Sequence, residues 1–472
     1  MSLTRRDFLG CSLATSAWLA CRQPKIHWPS ETVGIAVIGV GRYGIEHVRA
    51  YSRMGDCEVR TICDVDPVAA RRGAAEVAIW QARQPKLEGD MRRVLTDPDI
   101  DAVSIATPNH WHALAGIWAM QAGKAVYLEK PVSHHLVEGA RLVDAVDRIG
   151  GVVQSGMHRR SFGDIENARH LVAEGAIGEI KLVRCLTFLV RPSIGPAGDF
   201  SPPVDVDYDL WLGPAKGSAL TRRQFHYDWH WFWAWGDGAL GNNGVHRIDI
   251  ARWILGLSGL GDSVTSYGGR LGYRDAGETP STQVTIHRFE EADVTVVQEV
   301  RGFPSAPYKG ISNGVIFEGS HGYITVSQAG TFVFDRDGRQ RAKVRGGRPS
   351  HFRNFIEAIR RDRPQILRGD MREAEISAGL CHVGSIAHRI GQRASKQEIR
   401  KVLQGLQLAD DHLTRFADTV AHLQEHGVDL DSEPLTLGGP LVVEGRGFAT
   451  SEPANELLSA NYRQGFELPR IV

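Results

Sequence analysis

The sequence predicts an α/β protein, with a doubly wound parallel sheet in its N-terminal part and a second part that is richer in strands. In the first part, short apolar runs at 33–40, 102–106 and 125–128 alternate with helical segments, a pattern typical of parallel strands covered on both faces. In the second part, β-rich runs at 180–188, 282–289, 293–300, 314–318 and 323–326 are separated by glycine, proline or charged residues.

The overall composition is that of an ordinary globular protein. Its 472 residues carry 55 Lys and Arg against 55 Asp and Glu, so no bulk charge favours nucleic acid or an anionic membrane as a partner. The six cysteines show no metal-ligand spacing, and no metal site is predicted. We expect the chain to divide into segments 1–30, 31–150, 151–395 and 396–472, the last packing on the other domains.

The first segment, 1–30, is predicted to be an export signal. A twin arginine at 5–6 precedes an apolar stretch from Phe8 to Cys21, which is too short to span a bilayer. This layout matches the twin-arginine route, so we expect a periplasmic protein with no transmembrane helix in its mature chain. Cys21 fits the lipid-anchored first residue of a lipoprotein, whereas Trp18 departs from the usual aliphatic residue, and simple cleavage is the alternative.

The first apolar run leads into a glycine-rich turn, Gly39-x-Gly41-x-x-Gly44, which opens a helical stretch to about residue 54. Gly39 permits a tight turn, Gly41 lets the backbone approach a pyrophosphate, and Gly44 lets the helix pack close to the strand. The helix N-terminus, with Arg42 and Tyr43, would then face the phosphates. Because the turn follows a strand and opens a helix, it predicts a Rossmann-type dinucleotide site.

A second strand, 59–63, ends at Asp64. An acidic residue there accepts hydrogen bonds from the adenosine ribose and repels a 2′-phosphate, so we expect NAD, with NADP as the alternative. Asp64 as a plain turn residue before Asp66-Pro67 is the other interpretation.

Polar residues follow the next two apolar runs, where each predicted strand ends. Ligands of a parallel sheet bind beyond the carboxyl ends of its strands, so both clusters are predicted to lie beside the nicotinamide. They are Thr107, Pro108, Asn109 and His112 after one run, and Glu129 and Lys130 after the other. His112 and its neighbour His110 are alternatively structural caps.

Together these motifs resemble the Gfo/Idh/MocA family, which includes glucose–fructose oxidoreductase and inositol dehydrogenase. The most distinctive match is Glu129-Lys130-Pro131, and further matches at 208–214 and 241–253 extend the resemblance over about 31–395. Residues 454–463 resemble the tails of exported members. The resemblance implies a Rossmann domain, a second α/β domain on a large, open, mostly antiparallel sheet, and a homo-oligomer (dimer or tetramer) joined through that sheet.

Lys130 is the first catalytic candidate. A cationic amine is disfavoured beside an oxidised nicotinamide, which moves the pKa of Lys130 toward that of a useful base. In family members the Lys-Pro peptide bond is commonly cis. The alternative is that Lys130 binds substrate oxygens through its charge.

His246 is the second catalytic candidate, because it matches a Gly-x-His motif whose histidine relays the substrate proton in the family. Dehydrogenases of the family usually carry aspartate where this chain has Asn242. An amide cannot stabilise an imidazolium as a carboxylate does, so His246 is expected to be a weaker base. Asp249, one helical turn further on, is predicted to orient the ring, or else to be an ordinary acidic residue near a helix N-terminus.

Residues 226–235 (HYDWHWFWAW) form the most unusual stretch of the chain. If this stretch is extended, alternate tryptophans line one side, with His230 and Phe232 on the other. Such a wall suits a sugar or polyol, although any single tryptophan is alternatively core. The predicted substrate-binding residues are therefore Trp229, His230, Trp231, Trp233 and His246, with His158 and Arg159 as further candidates.

Three functions are weighed on these observations. The first is an NAD-dependent oxidoreductase that transfers a hydride between a sugar or cyclitol carbon and a tightly bound cofactor, since the periplasm maintains no nicotinamide pool. The second is a redox-neutral glycosidase, lyase or epimerase that recycles its NAD internally. The third is a non-catalytic sugar- or dinucleotide-binding protein.

Overall fold

The structure is a computed structural model that describes residues 32–217, 219–406, 408 and 411–471. The predicted export signal and Cys21 lie outside these residues. None of the helices within the described ranges is both long and apolar enough to cross a membrane.

The N-terminal domain is built on six parallel strands. These are β1 (Val33–Ile38), β2 (Cys57–Cys63), β3 (Lys86–Glu88), β4 (Ala102–Ile105), β5 (Ala125–Leu128) and β6 (Val153–Ser155). Their order in the sheet is β3-β2-β1-β4-β5-β6, which is doubly wound about β1. Every residue of β1, β4 and β5 is buried, as the apolar runs predicted, because helices cover both faces of the sheet.

The strands are joined by helices α1 (Gly44–Ser52), α2 (Pro67–Val77), α3 (Met91–Leu95), α4 (Asn109–Gln121) and α5 (Leu136–Ile149). The helix expected at 112–122 begins at Asn109, directly after the N-cap residue Pro108. The domain also extends beyond the expected boundary at residue 150, because β6 completes its sheet.

The second domain is built on an 11-stranded sheet with β7 (Ile180–Phe188) near its centre. Strand β7 pairs in parallel with β10 and antiparallel with β11, and the remaining pairs are antiparallel. The predicted α/β fold with a large, mostly antiparallel second sheet is therefore confirmed. The other strands are β8 (Ser263–Gly269), β9 (Thr282–Phe289), β10 (Val294–Arg301), β11 (Asn313–Gly319), β12 (Gly322–Ser327), β13 (Gly330–Asp335), β14 (Gln340–Val344), β15 (Gln392–Ala394), β16 (Leu435–Glu444) and β17 (Gly447–Phe448).

Helices of the second domain lie between the two sheets or return to the first domain. They are α6 (Gly163–Ala173), α7 (Tyr208–Leu212), α8 (Phe225–Asp228), α9 (Val245–Leu255), α10 (His351–Arg361) and α11 (Met371–Arg389). Ser350 is the N-cap residue of helix α10, and its side chain accepts a hydrogen bond from Arg353 N. Its buried side chains, Phe355, Ile356 and Ile359, join the core of the N-terminal domain.

The outer face of the large sheet is covered by α12 (Lys396–Gly405) and α13 (His412–Glu425). Ile399, Leu403 and Phe416 pack on Tyr267 and Ile286 in one buried cluster. The segment beyond residue 395 therefore covers part of the large sheet. This is the sheet through which the family resemblance implies that subunits associate. The same segment contributes strand β16, which pairs with β15 in the large sheet. The segment is therefore part of the second domain.

The C-terminal tail, after α14 (Glu452–Asn455), crosses back to the N-terminal domain. The Phe466 ring lies 5.6 Å from the Trp111 ring of α4, and the backbone N–H of Arg463 donates to the Pro214 carbonyl oxygen at 3.2 Å. The Arg463 guanidinium also pairs with the Asp209 carboxylate of α7. The tail thus fastens α7 to α4.

Candidate active site

A cleft of about 1090 Å³ follows the carboxyl ends of the parallel strands and reaches into the second domain. The glycine turn and Asp64 line one part of it, and Lys130, His158 and His246 line another. Both predicted polar clusters therefore lie along one continuous cavity, which is large enough for a dinucleotide.

The glycine turn has the geometry that its three glycines predict. Gly39 has φ +82°, and a Cβ added there would lie 2.8 Å from Thr107 N. A Cβ on Gly44 would overlap the Gly39 carbonyl oxygen, whereas on Gly41 it would meet nothing closer than 3.8 Å. The backbone at Gly41 is therefore open to a ligand, with Arg42 and Tyr43 beside it in the cleft wall.

Asp64 ends β2 in the cleft and is held by the backbone around it. Its carboxylate accepts hydrogen bonds from Val40 N at 2.7 Å and Asp66 N at 2.9 Å. Burial raises the pKa of Asp64 above its ordinary value in spite of these bonds. The carboxylate still has lone pairs for ribose hydroxyls.

The loop after β4 carries polar atoms without partners in the described part of the chain. Thr107 Oγ1 and Asn109 Nδ2 are buried and make no hydrogen bond there, and Thr107, Pro108 and Asn109 line the cleft. Orphaned buried polar atoms of this kind call for a ligand or water. Together with the open glycine turn and Asp64, they fit a bound dinucleotide.

His112 joins the two loops that end β4 and β5. Its Nδ1 lies 2.6 Å from the Pro131 carbonyl oxygen, and its Nε2 lies 2.8 Å from that of Thr107. His110 is instead part of the core, with Nε2 3.0 Å from the Trp211 carbonyl oxygen. The structure therefore brings His112 to the cleft as a link between loops, and gives His110 the structural role.

Glu129 is buried at the end of β5 and is anchored by a histidine that the sequence did not single out. Its Oε1 lies 3.2 Å from Nε2 of His47, whose Nδ1 lies 2.8 Å from Ser104 Oγ. Burial raises the pKa of Glu129, but His47 and Lys130 outweigh burial and hold the pKa below its ordinary value. The position of His47 on α1, facing the sheet, was the sequence signal that could have found it.

Lys130 is partly buried in the cleft wall and reaches the second domain. Its Nζ donates to the Asn242 backbone carbonyl oxygen at 2.9 Å and to Asn242 Oδ1 at 3.2 Å. The peptide bond to Pro131 is cis. Burial lowers the pKa of Lys130 and Arg247 lowers it further, while Glu129 opposes the shift. Lys130 and Asn242 are thus brought together across the domain boundary.

His246 begins the helix α9, directly after a π-helical turn (Leu240–Gly244) that carries Asn242. Its ring centroid lies 4.9 Å from that of His158. Burial lowers the pKa of His246 well below its ordinary value, and the neighbouring His158 and Lys130 lower it further. His246 is therefore a neutral imidazole at neutral pH.

The predicted role of Asp249 in orienting His246 is wrong. The Arg160 guanidinium donates to both Asp249 carboxylate oxygens, at 2.8–3.1 Å, and Ser377 Oγ donates to Oδ1 at 2.8 Å. Asp249 lies one helical turn beyond His246, but its carboxylate forms a buried ion pair with Arg160 of the 3₁₀ turn 158–161 and a hydrogen bond with Ser377 of α11.

The aromatic stretch is not extended, so its tryptophans do not share one side. Helix α8 passes into a 3₁₀ turn (Trp229–Trp231), and coiling distributes successive side chains around the axis. Trp229 and His230 line the cleft with their rings stacked at 3.6 Å, whereas Trp231 and Trp233 are outside its lining. Trp233 instead packs under the Arg389 guanidinium.

His158 lines the cleft as predicted, whereas Arg159 does not. Arg159 is buried behind the wall, because the 3₁₀ turn (His158–Ser161) turns consecutive side chains in different directions. Arg191, Tyr227 and Asn243 are among the wall residues that were not predicted as site residues. Arg191 lies after β7 in a loop without a motif, so no spacing signal marked it.

The described ranges contain no group of three or more His, Cys, Asp or Glu side chains that could hold a metal ion. The cleft is thus built from nucleotide-binding backbone, one buried amine and several neutral imidazoles.

A Rossmann domain whose dinucleotide cleft opens onto a second α/β domain defines a class of dinucleotide-dependent oxidoreductases. The sequence model of the oxidoreductase family with an NAD-binding Rossmann fold matches residues 33–157. The model of that family's C-terminal alpha/beta domain matches residues 199–266. Residues 33–157 and 199–266 thus match the two domain models of the Gfo/Idh/MocA oxidoreductase family, and the N-terminal domain is an NAD-binding Rossmann domain.

Individual relatives are more distant. A levoglucosan dehydrogenase from Pseudarthrobacter phenanthrenivorans is 26% identical over 340 residues, covering 66% of this chain and 76% of that protein. A glycosyl hydrolase family 109 protein from a Shewanella species is 31% identical over 155 residues, covering 32% of this chain and 34% of that protein. The chain therefore aligns with only about a third of the latter.

Among solved structures, the WlbA dehydrogenase from Bordetella pertussis, in complex with NADH and UDP-GlcNAcA, has the same fold. The TM-score is 0.56 at 22% identity, with 75% of this chain and 95% of that chain covered.

Proposed function

We propose that the protein is an NAD-dependent dehydrogenase that oxidises a hydroxyl-bearing carbon of a sugar or cyclitol. The observation that carries the proposal is the partly buried Lys130 amine, which lines the same cleft as His246, Trp229 and His230. Lys130 follows β5, the strand next in the chain after the loop that carries Thr107 and Asn109. The similarity to a levoglucosan dehydrogenase supports a carbohydrate substrate.

A bound nicotinamide supplies the acceptor for the hydride that leaves the substrate carbon. Lys130 is the base that takes the hydroxyl proton in this proposal, because burial lowers the pKa of its amine toward that of a general base. The two oxygens of Asn242 hold the Lys130 amine in position before and after that transfer. His246 is 7% exposed in the same cleft, and its neutral imidazole can form a hydrogen bond with the substrate hydroxyl.

NAD is preferred over NADP in this proposal because a 2′-phosphate would meet the Asp64 carboxylate. We further propose that the chain is exported to the periplasm and carries its cofactor tightly bound, as the predicted signal at 1–30 suggests. Retention over hours requires a dissociation constant of roughly nanomolar or below. We also propose that the protein associates into a dimer or tetramer, and light scattering would measure this oligomeric state. The contact would use strands that α12 and α13 do not cover.

The test begins with the purified protein. Acid denaturation should release NAD in about one equivalent, and the native protein should gain absorbance at 340 nm when a substrate sugar is added. Finding no released dinucleotide contradicts the retention proposal. Absence of any 340 nm change, with sugars that do bind, contradicts the dehydrogenase.

A redox-neutral glycosidase, lyase or epimerase is the second candidate. The surroundings of His246 favour this candidate. Burial lowers the pKa of His246, and the basic side chains around it lower the pKa further; these are His158, Lys130, Arg159 and Arg247. Without a carboxylate to stabilise an imidazolium, His246 is a weak base for net oxidation. The similarity to glycosyl hydrolase family 109 proteins supports this candidate. Glycoside cleavage without lasting 340 nm absorbance would establish it, and bound sugar with neither signal would indicate a binding protein.

A further inference from the structure

Arg191 lies in the cleft wall with neutral partners. Its Nη1 donates to Tyr227 Oη at 3.0 Å, and its Nη2 donates to Asn243 Oδ1 at 2.7 Å. Its guanidinium stands 5.3 Å from the Trp231 ring centroid, and its Nε is buried with no partner in the described residues. An arginine has five N–H donors, so several remain for a ligand. The charge of Arg191 is oriented by its neighbours but is not neutralised by them.

The surrounding residues add positive charge. Arg42 lies in the same wall, with its guanidinium 4.3 Å from the Tyr227 ring centroid, and Arg247, whose Nη1 donates to the Asn243 carbonyl oxygen at 2.9 Å, lies behind it. Burial lowers the pKa of the cleft residue His230, and the guanidinium groups of Arg191 and Arg42 are among the neighbours that lower it further.

Two carboxylates on neighbouring elements are already engaged by other groups. Glu129 is engaged by His47 and by the Lys130 backbone N–H, and Asp249 by Arg160. A neutral substrate would leave this concentration of partly dehydrated positive charge uncompensated, which is costly.

We propose that this part of the cleft binds the anionic group of its sugar, a carboxylate as in a uronic acid or a phosphate ester, and that Arg191 is the residue that selects it. The proposal rests on the sugar-binding function above and narrows it to acidic sugars. A planar carboxylate or a phosphate would accept charge-assisted hydrogen bonds from the free N–H groups of Arg191, which are stronger than bonds to a neutral hydroxyl.

The first experiment compares matched ligands on the purified holoprotein. Glucuronate, galacturonate, glucose 6-phosphate and galactose 6-phosphate are titrated against glucose and galactose by calorimetry. We expect at least one anionic ligand to bind tenfold or more tightly than its neutral counterpart, with an affinity that falls as ionic strength rises. The uronate and phosphate arms identify the anion. The proposal is overturned if neutral sugars bind with the same affinity as the uronates and the sugar phosphates. It is also overturned if no acidic sugar binds.

The second experiment tests Arg191 itself. Arg191→Gln should weaken binding of the preferred anion by about tenfold to a hundredfold, the range for a hydrogen bond to a charged group, and leave neutral sugar within twofold. Arg191→Lys should recover part of the loss, and the exposed Arg339→Gln is the matched control. Equal losses for neutral and anionic sugars in Arg191→Gln would contradict the assignment. If Arg191→Gln does not fold, the salt dependence of the affinity of the wild-type protein for the anionic sugar still tests the proposal.

The two proposals fail differently. If the dehydrogenase proposal is wrong, acidic sugars still bind selectively but no sugar changes the 340 nm absorbance. If the selectivity proposal is wrong, neutral sugars bind equally well and the absorbance still changes.

Discussion

Lys130 is a charged side chain whose surroundings favour its neutral form. Its amine is buried, and the groups that accept its hydrogen bonds, the two Asn242 oxygens, are themselves uncharged. A neutral amine beside a hydroxyl-bearing ligand is the arrangement that general base catalysis needs.

Replacement of Lys130 by methionine keeps the length of the side chain and removes the base. We expect turnover to fall by at least a thousandfold while the dinucleotide stays bound, because the nucleotide-binding residues are unchanged. The measurement is kcat together with the dinucleotide released on denaturation. The exposed Lys401→Met serves as control, and activity within tenfold of wild type would remove Lys130 from the mechanism.

Glu138, in the first turn of α5, is a buried acid outside the cleft. It accepts hydrogen bonds from His134 N at 2.8 Å and Tyr462 Oη at 3.2 Å, and burial raises its pKa to about 7. Since the folded pKa exceeds the unfolded value near 4.5, the folded state holds the proton more tightly. The resulting stability is fully present below about pH 4.5 and is lost as the pH rises through about 7.

The Glu138→Gln variant should therefore lose this pH dependence. Between pH 5.5 and 8 the free energy of unfolding of the wild type should fall relative to the variant by about 2 kcal/mol. Urea unfolding at several pH values measures the difference, with the exposed Glu291→Gln as control. Parallel stability curves for wild type and Glu138→Gln would show that Glu138 does not titrate in this range.

At the scale of elements, α10 couples the end of the second domain to the first. Phe355 is fully buried in the core of the N-terminal domain, although it lies nearly 200 residues beyond that domain's last strand. The Arg353 guanidinium adds a two-pronged contact to Asp56, at 2.6 and 2.7 Å. Truncating this helix's buried face should therefore destabilise the nucleotide domain.

Phe355→Ala should lower the free energy of unfolding by about 3–5 kcal/mol, because it leaves a cavity in a closed core. The exposed Arg361→Ala on the same helix should change it by less than about 0.5 kcal/mol. Chemical denaturation followed by tryptophan fluorescence measures both. Similar small effects for the two variants would mean that α10 is not part of this core.

Elements whose residues are buried on both faces were predictable from sequence. The strands β1, β4 and β5 lie where the apolar runs placed them, because burial on both faces leaves a continuous signal. The residues that we propose to bind the dinucleotide follow from local motifs. The aromatic stretch was not predictable, because alternation of aromatic residues is compatible with a strand or with a coiled turn, and tertiary packing decides between them. Arg191 depends on long-range contacts that no local spacing encodes.

At the scale of the whole molecule, the tail after residue 458 stabilises the cleft wall from outside. Phe466 packs on Trp111 and Arg463 holds Asp209, and both Trp111 and the neighbouring Leu210 line the cleft. Asp207 N in turn donates to the carbonyl oxygen of Val65, which is itself in the lining. The tail is thus connected, through α7, to the part of the cleft wall that carries Val65.

Deleting residues 459–472 should shorten the retention of the bound dinucleotide by at least tenfold, because α7 loses its fastening to α4. Release is followed by fluorescence of the reduced cofactor after dilution. The double variant Phe466→Ala with Arg463→Ala should show the same direction with the chain length preserved. Unchanged release in both proteins would limit the tail to a role in stability.

The same arrangement sets an order of events during synthesis. The residues that fasten the wall emerge from the ribosome after both sheets have been translated, so a nascent chain has the glycine turn long before its cleft can be secured. We therefore expect the nucleotide to be captured early and retained only after the tail has been translated.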